Sequence, residues 1–275
     1  MMIMINFIKK LVFSVLVFTA IVPTLKGADW MLTYGIHDFI VTQQNSHSFG
    51  VDMGIGIAGE AISESGVLLK GDFTVFFVHD RDKIDPDYEP IWYKTNIQIK
   101  RELYPLTTNI GTDWLISFDG KLNTLSGVEK QSKLFAGIGT DYTTSAMMFE
   151  LKILAGYYFL EIDDDVPSVF GYDPDDFQHE TAAYTFIADS EVKLNRKMKA
   201  YTRIQQWRDT NQWLENQYEL ILSYDSAQWL KGSGLNISAE HTRYNLNPYQ
   251  KVGFPPILPW NKDTLVRVYI TIPLR

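Results

Sequence analysis

The chain has 275 residues, 33 acidic against 25 basic, and contains no cysteine. The missing cysteine excludes a disulfide framework and a lipoprotein anchor, and the acidic balance argues against nucleic acid as a partner. Beyond the first 27 residues no stretch approaches the roughly 18 consecutive apolar residues of a membrane helix, so any membrane crossing there is made by strands.

In chain order, Lys9 and Lys10 precede the apolar run Leu11–Val22, Pro23 breaks it, and Gly27 supplies a small residue before Ala28. A basic start, a short apolar run and a small residue predict a secretory signal peptide over 1–27. The remaining domain, 28–275, carries 22 basic and 33 acidic residues.

That domain divides into twelve predicted strands, at 29–41, 49–62, 67–80, 91–105, 111–124, 132–143, 147–162, 181–194, 198–208, 213–225, 234–246 and 263–274. Most exceed the five or six residues usual in soluble sheets and suffice for the nine to eleven that a tilted membrane strand needs. The long connectors 81–90, 164–180 and 247–263 all fall at odd-numbered connections, so an up-and-down barrel sends them out of one end. Short turns such as 63–66, 143–146 and 195–197 fall at the other end.

Side chains alternate along a strand. Leu69, Gly71, Phe73, Val75 and Phe77 share one face of the third strand, opposite Lys70, Asp72 and Thr74. The fourth sets Ile91, Tyr93, Ile97 and Ile99 against Lys94, Asn96, Gln98, Lys100 and Glu102. The last sets Val266, Val268, Ile270 and Ile272 against Arg267, Tyr269 and Thr271. A Lys or Arg facing lipid at mid-bilayer costs about 2–4 kcal/mol, so the ionisable set must point inward. Trp30, Tyr93, Tyr104, Trp114, Tyr142, Tyr157, Tyr184, Tyr218 and Tyr224 sit near strand ends and suit interfacial aromatic girdles.

With its leader, long alternating strands and unequal connectors, the chain resembles a small outer-membrane β-barrel of a Gram-negative bacterium, over essentially all of 28–275. The resemblance is one of porin-like architecture and points to no specific family. It implies an all-β fold, a single transmembrane antiparallel up-and-down barrel of about 12 strands, in the cell outer membrane. It implies contact with outer-membrane lipid and lipopolysaccharide, and with the barrel-assembly machinery. Such barrels usually finish on an aromatic residue, whereas this sequence finishes Ile272-Pro273-Leu274-Arg275, with Tyr269 the nearest aromatic.

The inward positions of such a barrel are more often acidic than basic. Lys70, Lys94, Lys100, Arg203 and Arg267 facing Asp72, Asp113, Asp119, Glu215 and Glu219 are the candidate selectivity residues. One reading is a narrow passive channel for small polar or cationic solutes. The other is a barrel filled by cross-strand ion pairs, serving envelope structure, adhesion or assembly, since twelve strands lie between the filled eight and the open sixteen.

The connector 164–180 and its flank are rich in carboxylates, and Asp163, Asp165, Asp173 and Asp175 are hard oxygen donors suited to Ca²⁺ or Mg²⁺. Their spacing does not match an EF-hand, and a solvated acidic loop accounts for them equally; no other cofactor is expected. Connector 247–263 is stiffened by Pro248, Pro255, Pro256 and Pro259 and suits a packed external loop.

A lipid hydrolase on the outer wall would need a histidine beside a nucleophile. Of the five histidines only His241 lies well inside a lipid-facing stretch, with Arg243 rather than a hydroxyl at i+2; His47 falls in a turn. The expectation is a protein that is not an enzyme.

Overall fold

The computed structural model describes residues 29–41, 46–61, 66–78, 91–123, 126, 128–162, 179–246 and 261–274. They form β1 Asp29–Val41, β2 Ser46–Ala61, β3 Val67–Val78, β4 Ile91–Thr107, β5 Ile110–Leu122 and β6 Val128–Thr143. β7 Met147–Ile162, β8 His179–Lys193, β9 Met198–Arg208, β10 Trp213–Asp225, β11 Gly234–Tyr244 and β12 Lys262–Leu274 follow. Each strand pairs antiparallel with its sequence neighbours, and β1 pairs with β12 from Trp30↔Leu274 to Val41↔Asp263. The closed barrel leaves no strand edge unpaired, a requirement for any sheet in hydrocarbon.

The expected count and order of strands hold, with shifts at their ends. β2 begins at Ser46, β6 at Val128, and β11 ends at Tyr244. His47 therefore belongs to β2 rather than to a turn. The signal segment 1–27 and most of the three long connectors, with Asp163, Asp165, Asp173 and Asp175, lie outside the described residues.

Strict up-and-down order sends every odd-numbered connection to one end, here called the loop end, and every even-numbered one to the other, the turn end. Thr107–Ile110, Thr143–Met147 and Lys193–Met198 are tight turns. The β10–β11 connection is longer, pinned by Ser226 Oγ and Ser233 Oγ at 2.7 Å, with Gly232 at φ +77° and Trp229 exposed.

The wall sorts as the alternation requires. Ile36, Met53, Ile55, Leu134, Ile138, Leu151, Ile153, Ile204, Leu220, Ile237 and Val268 all face outward and are exposed. A belt of this extent far exceeds the apolar patch of a soluble protein; its solvent is acyl chain. All nine named girdle aromatics are outward by register. Trp30, Tyr104, Trp114, Tyr142 and Tyr224 lie toward the turn end, and Tyr93, Tyr157, Tyr184 and Tyr218 toward the loop end.

The inner face departs from the simple expectation of an ionic interior. Phe39, Val41, Phe76, Trp92, Tyr158, Leu160, Trp207, Tyr244 and Leu265 also point inward, all buried and all toward the loop end. Leu115, Phe135, Leu154 and Ile187 continue this layer down the β5–β8 wall. Alternation places a residue on a face but does not make that face polar. Inward apolar side chains at this end bury one another as a core does. The β1–β2 wall is kept thin to admit them. A Cβ on Gly50 would lie 2.9 Å from His37 Cε1, and one on Gly35 would lie 2.5 Å from Tyr269 Cβ, the use of glycine where another group must approach the backbone.

Candidate functional site: the barrel lumen

All ten sequence-predicted lumen residues point inward, but their partners are not the ones their order suggests. One chain of charges runs around the bore through five strands, β4, β5, β7, β8 and β9. Lys100 Nζ on β4 stands 2.6 Å from Asp113 and 2.5 Å from Glu150, and Lys152 stands 2.7 Å from Glu150 and 2.8 Å from Asp189. Arg203 closes it with two nitrogens on Asp189, at 2.8 and 3.2 Å. Alternating signs leave each buried ion with an opposite neighbour, the condition under which buried charge is tolerated.

Other pairs cross the bore. Lys94 on β4 donates to Glu240 on β11. Lys121 on β5 reaches Asp263 on β12 at 3.2 Å. Lys133 on β6 reaches Glu215 on β10 at 2.7 Å, where Tyr158 Oη also donates at 2.8 Å. Lys133 is held from another side by the Trp207 ring, 4.1 Å from its centroid. Such contacts are attractive and strengthen as water is removed.

The sequence reading missed Lys133, Glu240's role as a cross-bore acceptor, and Asp263. Lys133 was legible as an inward residue between outward Ser132 and Leu134. Asp263 sits at the start of its strand, where alternation has barely begun.

Near the loop end the bore is lined by rings. Phe76 and Trp92 stack, Trp92 also meets Phe39 at 5.5 Å, and His37 stands edge-on to Phe76 at 5.2 Å. Below them Arg267 holds Asp52 at 2.5 Å and lies over Tyr269, while His37 Nδ1 is 3.6 Å from Asp52 Oδ1, beyond a hydrogen bond.

Wetting follows this layout. Lys199, at the turn end, is 51% exposed; Lys94 is 28%, Lys121 14% and Lys133 5%. A void of about 40 Å³ lies among Lys94, Asp119, Lys121, Lys133, Glu215 and Glu240, room for about three waters. Toward the turn end Lys70 and Asp72 are exposed. Among the described residues neither they nor Glu219 make an ion pair. Asp72 and Glu219 lie within electrostatic reach of Lys94 and Glu240. The bore is thus wet and acidic toward the turn end, and lined by buried aromatics and the Lys133–Glu215 pair toward the loop end.

The outer wall holds two histidine contacts. His241 Nδ1 is 2.8 Å from Thr264 Oγ1 on the adjacent strand, a hydroxyl partner the sequence reading did not find. Among the described residues no carboxylate is hydrogen-bonded to its ring. His47 Nδ1 lies 3.2 Å from Asp38. No group of three metal-ligating side chains occurs among the described residues.

No family model matches the sequence, and no curated protein does. Solved structures resemble it in fold. The COG4313 outer membrane channel from Pseudomonas putida F1 superposes with a TM-score of 0.52 at 7% identity, over 90% of this chain and 96% of that one. The NanC porin gives 0.49 at 7% identity, over 89% and 100%. The KdgM porin gives 0.45 at 9% identity, over 89% and 99%. The likeness to the first extends along the whole barrel and is one of fold.

Proposed function

We propose that the protein is an outer-membrane channel, narrow and passive, that admits small polar solutes and favours cations. One observation carries this reading: exposed Asp72 and part-exposed Glu219 line the bore and, among the described residues, make no ion pair. A barrel interior built only for stability gains nothing from unpaired carboxylates, whereas a row of them in a low-dielectric tube concentrates cations. Inward carboxylates outnumber inward cations along the described strands, which supports the same sign. Lys94–Glu240, with both side chains part-exposed, is the pair a solute meets next. Ion pairs of this kind exchange partners with a passing ion at little net cost, because each half can be re-paired.

A non-conducting barrel is the second reading, and the buried Lys133–Glu215 strap under the aromatic layer favours it. The two separate in planar bilayers. Wild type and Trp92→Ala are each reconstituted and recorded in a salt gradient. Small steps whose reversal potential has the sign of cation preference support the channel. Folded, inserted protein silent in both forms, with no flux of small solutes into liposomes, overturns it.

We read the barrel as non-catalytic. His241 has a hydroxyl partner but, among the described residues, no orienting carboxylate of the kind that makes imidazole an effective base. No step of the proposed function needs a metal or cofactor.

A further inference from the structure

We propose that the outer wall of β9–β12 at the loop end binds a lipid headgroup carrying two phosphates. Three cations, Arg208, Arg243 and Lys262, point outward there. Arg208 and Arg243 are exposed and Lys262 is half-exposed. Among the described residues none of the three makes an ion pair.

Elsewhere on the same rim, charge is compensated locally. Lys130 is held by Glu161 at 2.5 Å and by Glu129 at 3.6 Å. His47 meets Asp38 at 3.2 Å, and Glu180 accepts from Tyr157. Among the described residues of this rim, the β9–β12 sector is the one that shows bare positive charge. The carboxylate nearest in sequence to Lys262, Asp263, faces inward and is occupied by Lys121, Ser126 and Tyr244.

The height of the patch identifies its solvent. Moving toward the loop end, the outward series runs Leu235, Ile237, Ala239, His241, Arg243 on β11 and Val268, Val266, Thr264, Lys262 on β12. The apolar belt therefore ends one or two outward residues below the cations. Tyr218 on β10 and Tyr184 on β8 mark the same boundary, the level at which aromatic girdles sit against headgroups. Unpaired guanidinium and ammonium groups at that depth face the phosphate layer of the membrane rather than bulk water or acyl chain.

Spacing selects the number of phosphates. Arg243 and Lys262 are direct cross-strand partners and can close on one phosphate together. Arg208 lies two strands away on β9, about 10 Å at the usual 4.7–4.9 Å per strand, too far to share that anion. Trp213, the cross-strand partner of Arg208, occupies the interval, its ring 6.0 Å from the Arg243 guanidinium. It offers a flat apolar floor between two anion sites. A headgroup with phosphates at both ends of a rigid spacer fits; one with a single phosphate fills half.

The inference rests on the membrane reading of the barrel and not on conduction, so a silent recording leaves it standing. The full chain is reconstituted in phosphatidylcholine nanodiscs, and retention of diphosphoryl lipid A, monophosphoryl lipid A and phosphatidylglycerol is compared by native mass spectrometry. Wild type should retain the diphosphoryl lipid at least tenfold better than the others. Combined Arg208→Gln, Arg243→Gln and Lys262→Gln should abolish that preference, and Arg208→Gln alone should reduce it to the monophosphoryl level. Lys130→Gln, on the opposite wall, should leave it unchanged, and heat-modifiable gel mobility verifies that each barrel is folded. Equal retention by wild type and the triple variant overturns the site, as does an equal loss in Lys130→Gln. Displacement of the bound lipid by millimolar inorganic phosphate overturns the lipid as its ligand.

Discussion

Phe76 and Trp92 lie face to face across the β3–β4 pair, ring centroids 3.6 Å apart and planes 5° from parallel. Both are fully buried, although both point into the lumen rather than into a protein core. Phe39, His37 and the Arg267 guanidinium pack around the stack. These rings crowd the loop end of a bore whose other end is wet.

Removing one ring tests whether this layer is the barrier. Trp92→Ala should raise single-channel conductance several-fold over wild type. Loss of a buried Trp costs about 3–5 kcal/mol, which the continuous hydrogen-bonded wall should tolerate. Planar-bilayer recording gives the conductance, and gel mobility before and after heating gives the fold. Unchanged conductance from a folded variant would place the barrier elsewhere, at the Lys133–Glu215 strap.

That strap makes its own prediction about stability. Lys133 and Glu215 are both nearly sealed from solvent, at 5% and 2%. Lys133→Met strands a buried carboxylate and should destabilise the barrel by about 3–5 kcal/mol. Lys133→Met combined with Glu215→Gln should recover most of the loss, because the second change removes the orphaned charge and keeps an acceptor for Tyr158. Urea unfolding in phospholipid, followed by tryptophan fluorescence, measures both.

How much of this was legible in the chain depends on the kind of contact. The face of each residue in β3 is fixed by a period of two, so Lys70 and Asp72 opposite Phe73 and Val75 could be sorted without coordinates. Partners could not. Lys94 meets Glu240 across 146 positions of sequence, and that pairing depends on the stagger with which the sheet closes, which alternation does not encode. Nor did composition separate the apolar inward residues from the belt. In Ile91-Trp92-Tyr93 three consecutive residues are apolar or aromatic, and only the period of two puts Trp92 on the inward face with Lys94.

Selectivity should follow the two unpaired carboxylates. Asp72→Asn and Glu219→Gln each remove a bare negative charge from the wetted bore and leave the ion-pair chain through Lys100, Lys152 and Asp189 intact. The double variant should shift the reversal potential in a salt gradient toward zero or past it. Lys199→Gln, at the exposed turn end with Glu191 as partner, should change it little. A double variant as cation-preferring as wild type would remove Asp72 and Glu219 from the selectivity site.

The sidedness of the wall is open to a direct thermodynamic test. Ile153 lies near the middle of β7, points outward and is 57% exposed, so in the membrane its neighbours are acyl chains. Ile153→Arg should cost about 2–4 kcal/mol, the penalty for a cation on the lipid face near mid-bilayer. Lys70→Leu, an exposed inward position on β3 with no ion pair to lose, should stay within about 0.5 kcal/mol of wild type. A soluble sheet would reverse the order, since an arginine on its wet face is harmless. Reversible urea unfolding in lipid vesicles supplies both values, and equal small costs would mean that the belt around Ile153 does not face hydrocarbon.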